Sequence, residues 1–191
     1  MFTRTLRPAI SLLLVMTALT GIVYPLLVTG IAQAVFPRQA AGSLVSRDGK
    51  PIGSSLIGQS FSDPKYFWGR PSATAPQPYN GTGSAGSNLG PLNPALTDRI
   101  KASVQALHDA DPGNAAPIPV DLVTASASGL DPDISTAAAR YQAARVARMR
   151  HIETARVDAL ITAHERGKVL GFIGEPRVNV LELNLALDSP P

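Results

Sequence analysis

The sequence predicts a single N-terminal transmembrane helix followed by one soluble domain of the α+β class. The 28 residues of the stretch 9–36 are apolar or uncharged, with no Asp, Glu, Lys or Arg between Arg7 and Arg38. A helix of this length spans roughly 42 Å, more than the hydrocarbon core of a bilayer at about 30 Å. The remaining residues, 37–191, mix helical periodicity with short strand-like runs and are numerous enough to bury a core of their own.

Basic residues ahead of the apolar stretch indicate its orientation. Arg4 and Arg7 precede the helix, and short basic flanks remain on the cytoplasmic side of a membrane. We therefore expect residues 1–8 to form a cytoplasmic arm and residues 37–191 to form a periplasmic domain. A cleaved signal peptide is the alternative, because Ala-Gln-Ala at 32–34 is a small-x-small site. The length favours the uncleaved anchor, since the apolar part of a signal peptide has about 7–15 residues.

Two features inside the helix bear on how it behaves in a membrane. Pro25 removes one helical hydrogen bond, so we expect a kink there. Thr17 and Gly21 are spaced to put two small residues on one face, where a partner helix can approach closely. A lone anchor is the alternative, because Gly and Thr are common in membrane helices.

Composition limits the function of the exported part. Two of the 17 basic residues lie in the arm and all 14 acidic residues lie beyond the helix, so the domain itself is nearly neutral. This charge balance does not indicate nucleic-acid binding. The chain has no cysteine, which excludes disulfides, a thiol nucleophile and a thiolate metal site.

The first part of the domain is predicted to contain a hairpin, an aromatic cluster and a loop. Residues 43–59 form the hairpin, because the pair Asp48-Gly49 suits a tight turn between strands. Four aromatic residues within 61–71 are expected to anchor the core, with a docking surface as the alternative. Residues 76–94 form a long ordered loop. Its GxGxxG spacing at 81–86 is not a dinucleotide fingerprint, because no strand precedes it.

The middle of the domain is predicted to begin with a helix. Asn93 is its N-cap, Pro94 occupies its first turn, and Asp-Pro-Gly at 111–113 ends it. Residues 117–124 suggest a short strand between prolines. Residues 126–133 form a turn that leads into the next helix.

The last part is predicted to be mainly helical. Residues 134–149 form a helix whose arginines lie on a solvated face, and a second helix ends at Gly167. Residues 170–173 are predicted to form a strand. Residues 179–187 alternate like a strand, but Asn and Glu three residues apart at their start form a capping box and favour a helix.

No catalytic motif is present in the sequence. The three histidines, His108, His151 and His164, have no ligand partner at the spacing of a zinc site. The chain also lacks the motifs GxSxG and HExxH, a phosphate loop, and the DKTGT segment of a P-type pump's catalytic chain. A membrane anchor followed by a domain without these motifs is typical of a non-enzymatic accessory protein.

Several stretches carry a family resemblance. They are GSSLIGQ at 53–59, YFWGRPS at 66–72, SNLGP with NP at 87–94, VDLVTAS with SGLDP at 120–132, and GEPRVNVL with LNLAL at 174–187. Together with the N-terminal anchor they closely resemble the KdpC family, whose members belong to the bacterial high-affinity potassium-transporting P-type ATPase, the Kdp complex. The resemblance covers nearly the whole chain.

The resemblance implies a place in a membrane complex. The partners would be a channel-like potassium-translocating subunit, a P-type ATP-hydrolysing subunit and a small fourth subunit, in the cell inner membrane. This chain would be a single-pass accessory subunit, neither the pore nor the ATPase, in contact with the lipid bilayer and not with nucleic acid.

The resemblance also implies an ATP-related role. The family is described as a catalytic chaperone that raises the ATP affinity of the hydrolysing subunit through a serine-glycine stretch likened to an ABC signature. The corresponding positions are Ser126, Ser128, Gly129 and, more loosely, Gln142. Ala127 stands where the family pattern SGSGLDP has glycine, and this departure weakens a backbone phosphate cradle.

The predicted topology favours a different mechanism. A domain outside the cytoplasm cannot touch cytoplasmic ATP, so we expect it to cap the potassium-translocating subunit at its outer mouth, with any effect on ATP affinity being allosteric. Asp131 and Asp133 are expected to cap the helix near Ile134, where they repel a triphosphate, and Gly129 is expected to shape a turn. Two other hypotheses remain: an exported, signal-peptide-cleaved binding or hydrolytic domain, and a stand-alone anchored scaffold.

Overall fold

The computed structural model describes residues 2–47 and 49–189, and these fall into two compact units, Met1–Leu44 and Val45–Pro191. Asp48 of the predicted turn and Pro191 at the predicted exported end lie outside the described residues.

The first unit is built on one long helix. It comprises α1 (Phe2–Ala18), a π-helical turn at Leu19–Val23 and α2 (Tyr24–Val35), followed by the short helix α3 (Pro37–Ala40). By length and composition, Thr5–Val35 is sufficient to cross a membrane, as the sequence predicts. The helix ends at Val35 and not at Phe36, because a residue that precedes proline is disfavoured in the helical conformation.

The predicted disturbance at Pro25 takes the form of the π-helical turn. The Tyr24 N–H donates to the carbonyl of Leu19, five residues earlier instead of four. Pro25 has no N–H, and its ring would crowd the carbonyl four residues back. One wide turn just before the proline relieves this crowding within the helix.

The second unit opens with the predicted hairpin and a long irregular region. Strands β1 (Leu44–Arg47) and β2 (Lys50–Ser54) form a two-stranded sheet. Irregular chain then runs to Asn93, whose side chain accepts the Ala95 N–H at 3.0 Å and caps α4 (Pro94–Ala110) as predicted.

The rest of the unit places three helices on a small antiparallel sheet. In chain order they are a 3₁₀ turn (Val120–Leu122), β3 (Asp133–Ser135), α5 (Thr136–Arg150), α6 (Thr154–His164), β4 (Glu165–Arg166), β5 (Arg177–Asn179) and α7 (Val180–Asp188). The sheet order is β3-β5-β4, with Ile134 opposite Val178 and Arg166 opposite Arg177. The helical interpretation of the last segment is confirmed, because Asn179 accepts the Glu182 N–H at 3.1 Å.

The core lies where α5, α6 and α7 meet this sheet. It is formed by side chains that are almost fully buried: Ile134, Val146, Val157, Ile161, Val178 and Leu183. Phe67 of the aromatic cluster is fully buried among them, and Phe61 and Trp68 pack against the core. The interpretation of this cluster as a core anchor is therefore confirmed.

Four sequence predictions are wrong in detail. The helix predicted to end at Gly167 ends at His164, because Glu165 and Arg166 pair with β5 as strand β4. Residues 117–124 contain a 3₁₀ turn and no strand, since Pro117 and Pro119 at their start have no N–H to donate to a ladder. Residues 170–173 form a chain reversal, in which Val169 and Ile173 exchange backbone hydrogen bonds of 2.9 Å each. Ile134 lies in β3, so α5 begins two residues later, at Thr136.

Candidate functional site

The serine–glycine segment, residues 126–132, is held in a tight turn by its own hydroxyls. Ser126 Oγ accepts the Gly129 N–H at 2.9 Å, and Ser128 Oγ accepts the Leu130 N–H at 3.1 Å. Gly129 has φ +66°, a left-handed conformation that glycine adopts without steric cost. Two backbone donors of the segment are therefore already satisfied by side chains of the segment itself.

The glycine-rich loop packs directly against this turn. The carbonyl of Ser128 accepts the Ala85 N–H at 2.9 Å and the Ser84 hydroxyl at 3.0 Å. The carbonyl of Gly129 accepts the Ser72 hydroxyl at 2.7 Å. A Cβ at Gly129 would lie 2.6 Å from the carbonyl oxygen of Ala85, so glycine is needed for the close approach as well as for the backbone angle.

An arginine and a tyrosine close the other side of the segment. Arg70 Nη1 donates to Asp131 Oδ2 at 2.9 Å, and the Gly58 N–H donates to the carbonyl of Leu130 at 2.8 Å. The Tyr79 hydroxyl donates to the carbonyl of Arg70 at 2.6 Å. Burial, reinforced by the nearby Asp131 carboxylate, raises the pKa of Tyr79 to about 12 and keeps this donor protonated.

The start of α5 is capped, but not by the residues predicted from sequence. Ser135 is the N-cap and accepts the Ala138 N–H at 3.0 Å, while Asp121 accepts both the N–H and the hydroxyl of Ser135. The prediction that Asp131 and Asp133 cap this helix is wrong. Asp131 accepts the Asp133 N–H at 3.0 Å, in a turn just ahead of the helix.

The two aspartates are neutralised by arginines from distant parts of the chain. Asp131 pairs with Arg70, and Asp133 Oδ2 accepts from Arg177 Nε at 2.9 Å. Three carboxylates, those of Asp121, Asp131 and Asp133, thus surround the start of α5. With two arginines beside these three carboxylates, the groups keep a net charge of −1, which complements the helix dipole and opposes the binding of a phosphate.

Gln142, the fourth position implied by the resemblance, has a different set of contacts. Its carbonyl oxygen accepts the Trp68 N–H at 2.8 Å, and its amide donates to the carbonyl of Trp68 at 3.1 Å. Asn184 of α7 makes the same double contact with Phe67, at 2.8 and 3.0 Å. Two buried carboxamides therefore supply the hydrogen bonds that a neighbouring strand would otherwise give to residues 67 and 68.

Arg145 completes this arrangement. Its side chain is only 2% exposed, so the predicted solvated face of the arginine-rich helix is wrong at this position. The guanidinium donates to the carbonyls of Pro64 and Tyr66 and to Gln142, and lies 4.7 Å from the ring centroid of Trp68. Burial lowers its pKa to about 10, which leaves it charged at neutral pH.

The structure thus brings Ser126, Ser128 and Gly129 together and places Gln142 in a separate network. The hydroxyls of the two serines are engaged with backbone N–H groups, and Gln142 uses both ends of its amide internally. Sequence reasoning missed Asn184 and the burial of Arg145, because their partners lie 117 and about 80 residues away. The only local signal was the spacing of three residues between Gln142 and Arg145 on one helix.

Comparison with known proteins relates the whole chain to one family. The profile of the family described as "KdpC: K+-transporting ATPase, c chain" matches residues 6–189. Proteins named "Potassium-transporting ATPase KdpC subunit" from Variovorax paradoxus and Dechloromonas aromatica are 66% and 64% identical over 184 residues. These alignments cover 96% of this chain and 95% and 96% of the relatives. A relative of the same name from Methylococcus capsulatus is 63% identical over 183 residues. The chain belongs to the KdpC family.

Proposed function

We propose that this chain is the non-catalytic accessory subunit of an ATP-driven, high-affinity potassium uptake complex, needed for its assembly and stability. The family membership and the names of the relatives support this role, as does the single membrane-length helix. Its partners are a channel-like potassium-translocating subunit, a P-type ATP-hydrolysing subunit and a small fourth subunit.

The orientation that fits this role has the N-terminus in the cytoplasm and the folded domain in the periplasm, with the helix crossing the inner membrane. The basic arm with Arg4 and Arg7 supports this orientation. The domain then caps the outer mouth of the potassium-translocating subunit. Its influence on ATP affinity is allosteric and acts through the membrane subunits.

The serine–glycine segment has a structural role in this proposal, and ATP is not bound there. The observation that carries the proposal is the close packing of Gly129 against Ala85, with the segment's carbonyls bonded to the loop. A nucleotide phosphate would need backbone N–H donors, but the N–H groups of Gly129 and Leu130 already donate to Ser126 and Ser128, and the phosphate would also meet the carboxylates in front of α5.

Ser128→Ala in the assembled complex separates the two roles. The substitution removes the acceptor for the Leu130 N–H, so a structural role predicts a small loss of assembled complex. The KM for ATP, measured on preparations that hold equal amounts of every subunit, is expected to equal that of the wild type. Ser60→Ala, at an exposed position, is the matched control.

A KM for ATP raised several-fold in the Ser128→Ala complex, with normal recovery of all subunits, contradicts the proposal and indicates direct contact with nucleotide. A complex that forms and transports potassium equally well without this chain contradicts the assembly role itself.

A further inference from the structure

An exposed hairpin in the second unit ends in an apolar tip. Every residue from 165 to 175 is exposed, and the chain reverses at 170–172. Four of the five residues 169–173 have large apolar side chains, and their exposed fractions are substantial: Val169 54%, Leu170 79%, Phe172 73% and Ile173 50%. We call residues 169–173 the apolar tip. Four exposed apolar side chains within five residues, with no charged residue among them, distinguish the apolar tip from singly scattered surface apolar residues.

The backbone of the apolar tip satisfies most of its own hydrogen bonds. Val169 and Ile173 exchange two hydrogen bonds of 2.9 Å, the Gly171 N–H donates to the carbonyl of Lys168, and the Phe172 N–H donates to the carbonyl of Val169. Each backbone group that pairs within the turn lowers the cost of entering the apolar side of a membrane interface, because lipid offers no partner for free backbone groups. The left-handed angles of Leu170 and Gly171, φ 53° and 81°, are what fold the chain into this closed turn.

The charges at the base of the tip are paired. Lys168 lies 3.7 Å from Glu175, and Arg166 lies 2.6 Å from Glu182. The base therefore presents neutral pairs instead of a basic patch. Attraction to anionic headgroups would therefore add little to membrane binding by the tip. The apolar side chains would supply most of the binding free energy.

We propose that the apolar tip inserts into the boundary between headgroups and acyl chains of the bilayer that holds the N-terminal helix. The proposal rests on the proposed membrane anchoring. Residues 36–44 link the end of that helix to the second unit, and with residues 37–40 in α3 this link reaches at most about 24 Å. Such a tether keeps the domain at a high effective concentration near lipid, so a few apolar side chains are sufficient for contact.

A lipid surface fits the tip better than a protein partner does. Residues 169–173 carry no charged side chain and fold back on themselves, so the tip offers neither a salt bridge nor a strand edge to a protein. Phe and aliphatic residues at a loop end meet the modest requirement of a membrane interface, which selects for apolar area and not for shape.

A single-cysteine spin label tests the proposal directly, because the natural chain has no cysteine. The full chain with Leu170→Cys, labelled with a nitroxide, is reconstituted into phosphatidylcholine vesicles. Collisions with oxygen, which concentrates in lipid, are compared with collisions with a water-soluble nickel chelate. The matched control is Leu92→Cys, at a side chain 96% exposed in the same unit.

We expect the ratio of oxygen to nickel collisions at residue 170 to exceed that at residue 92 at least about threefold, with little change when anionic phosphatidylglycerol is added. Adding Phe172→Asp to the Leu170→Cys chain is expected to return the label to water. This second change leaves the melting temperature unaltered, because Phe172 is exposed.

Equal nickel accessibility at residues 170 and 92, in a chain that floats with the vesicles, overturns the insertion while leaving the anchoring intact. A label that becomes protected only when the other subunits are added overturns it too, and indicates a protein partner. A chain that does not float with the vesicles overturns the anchoring and the insertion together.

Discussion

Replacing Gly129 by valine tests the structural role of the serine–glycine segment most sharply. The backbone there has φ +66°, which costs a side-chain-bearing residue about 1–2 kcal/mol. The new Cβ would also lie 2.6 Å from the Ala85 carbonyl oxygen and 2.7 Å from Thr74 Cγ2, and such overpacking costs about 1–3 kcal/mol. The expected loss of free energy of unfolding is therefore about 2–5 kcal/mol. For a chain of this size that corresponds to a fall in melting temperature of about 4–20 °C.

The assay is thermal unfolding of the full chain in detergent, followed by near-ultraviolet circular dichroism of the single tryptophan, Trp68. Gly90→Val is the matched control, because a Cβ at Gly90 meets nothing within 4 Å and its φ is not positive. In the complex, potassium-stimulated ATPase activity should fall only as far as assembly falls. An unchanged melting temperature for Gly129→Val, together with saturable ATP binding to the wild type that the variant loses, would refute the structural role.

Three further substitutions have defined outcomes. Gly21→Leu is expected to weaken co-purification with the potassium-translocating subunit while leaving membrane insertion intact, because bulk blocks close helix approach; unchanged recovery would make the helix a simple tether. Arg145→Met removes the donor to the part-buried carbonyls of Pro64 and Tyr66 and should lower the free energy of unfolding by about 2–5 kcal/mol, against less than about 0.5 kcal/mol for Arg140→Met at an exposed position; similar losses in both would contradict the role of Arg145. Burial alone would raise the pKa of Asp188. Hydrogen bonds from Arg150 and Tyr66 have the larger combined effect, so the pKa of Asp188 is lowered. Its stabilisation is thus full above about pH 4 and is lost as the pH falls further, and Asp188→Asn should flatten the acid limb of melting temperature against pH.

Local signals in the sequence were enough to predict the larger helices. The anchor follows from an uninterrupted apolar run, and α4 and α7 follow from asparagine caps at residues 93 and 179 that the structure reproduces. The hairpin at β1 and β2 was found for the same reason, since its turn residues are specific to that conformation. The class of one membrane-length helix followed by a helix-and-sheet domain is confirmed.

The small three-stranded sheet could not be predicted, because its strands have two or three residues and no periodicity of their own. Ile134 is a strand residue only because Val178 lies opposite it. Likewise, the partners of Asp131 and Asp133, Arg70 and Arg177, lie 61 and 44 residues away. Charge patterns read within one segment therefore gave the wrong cap for α5.

The prediction that the arginines of α5 face solvent was wrong at one position for a related reason. An alanine- and arginine-rich helix normally exposes its arginines, and Arg140 is exposed. Arg145 is buried because the irregular aromatic segment beside it supplies carbonyl acceptors and a tryptophan face, a tertiary arrangement that no spacing rule encodes.

The central claim is that the folded domain lies outside the cytoplasm and therefore reaches ATP hydrolysis only through the membrane subunits. A pair of C-terminal fusions to the full chain tests it: alkaline phosphatase, which is active only outside the cytoplasm, and a green fluorescent protein that folds only inside. The same reporters fused directly after Arg7 are the controls. We predict an active phosphatase and a dark fluorescent protein at the C-terminus, whereas an inactive phosphatase with a bright fluorescent protein, both at full length, would contradict the claim.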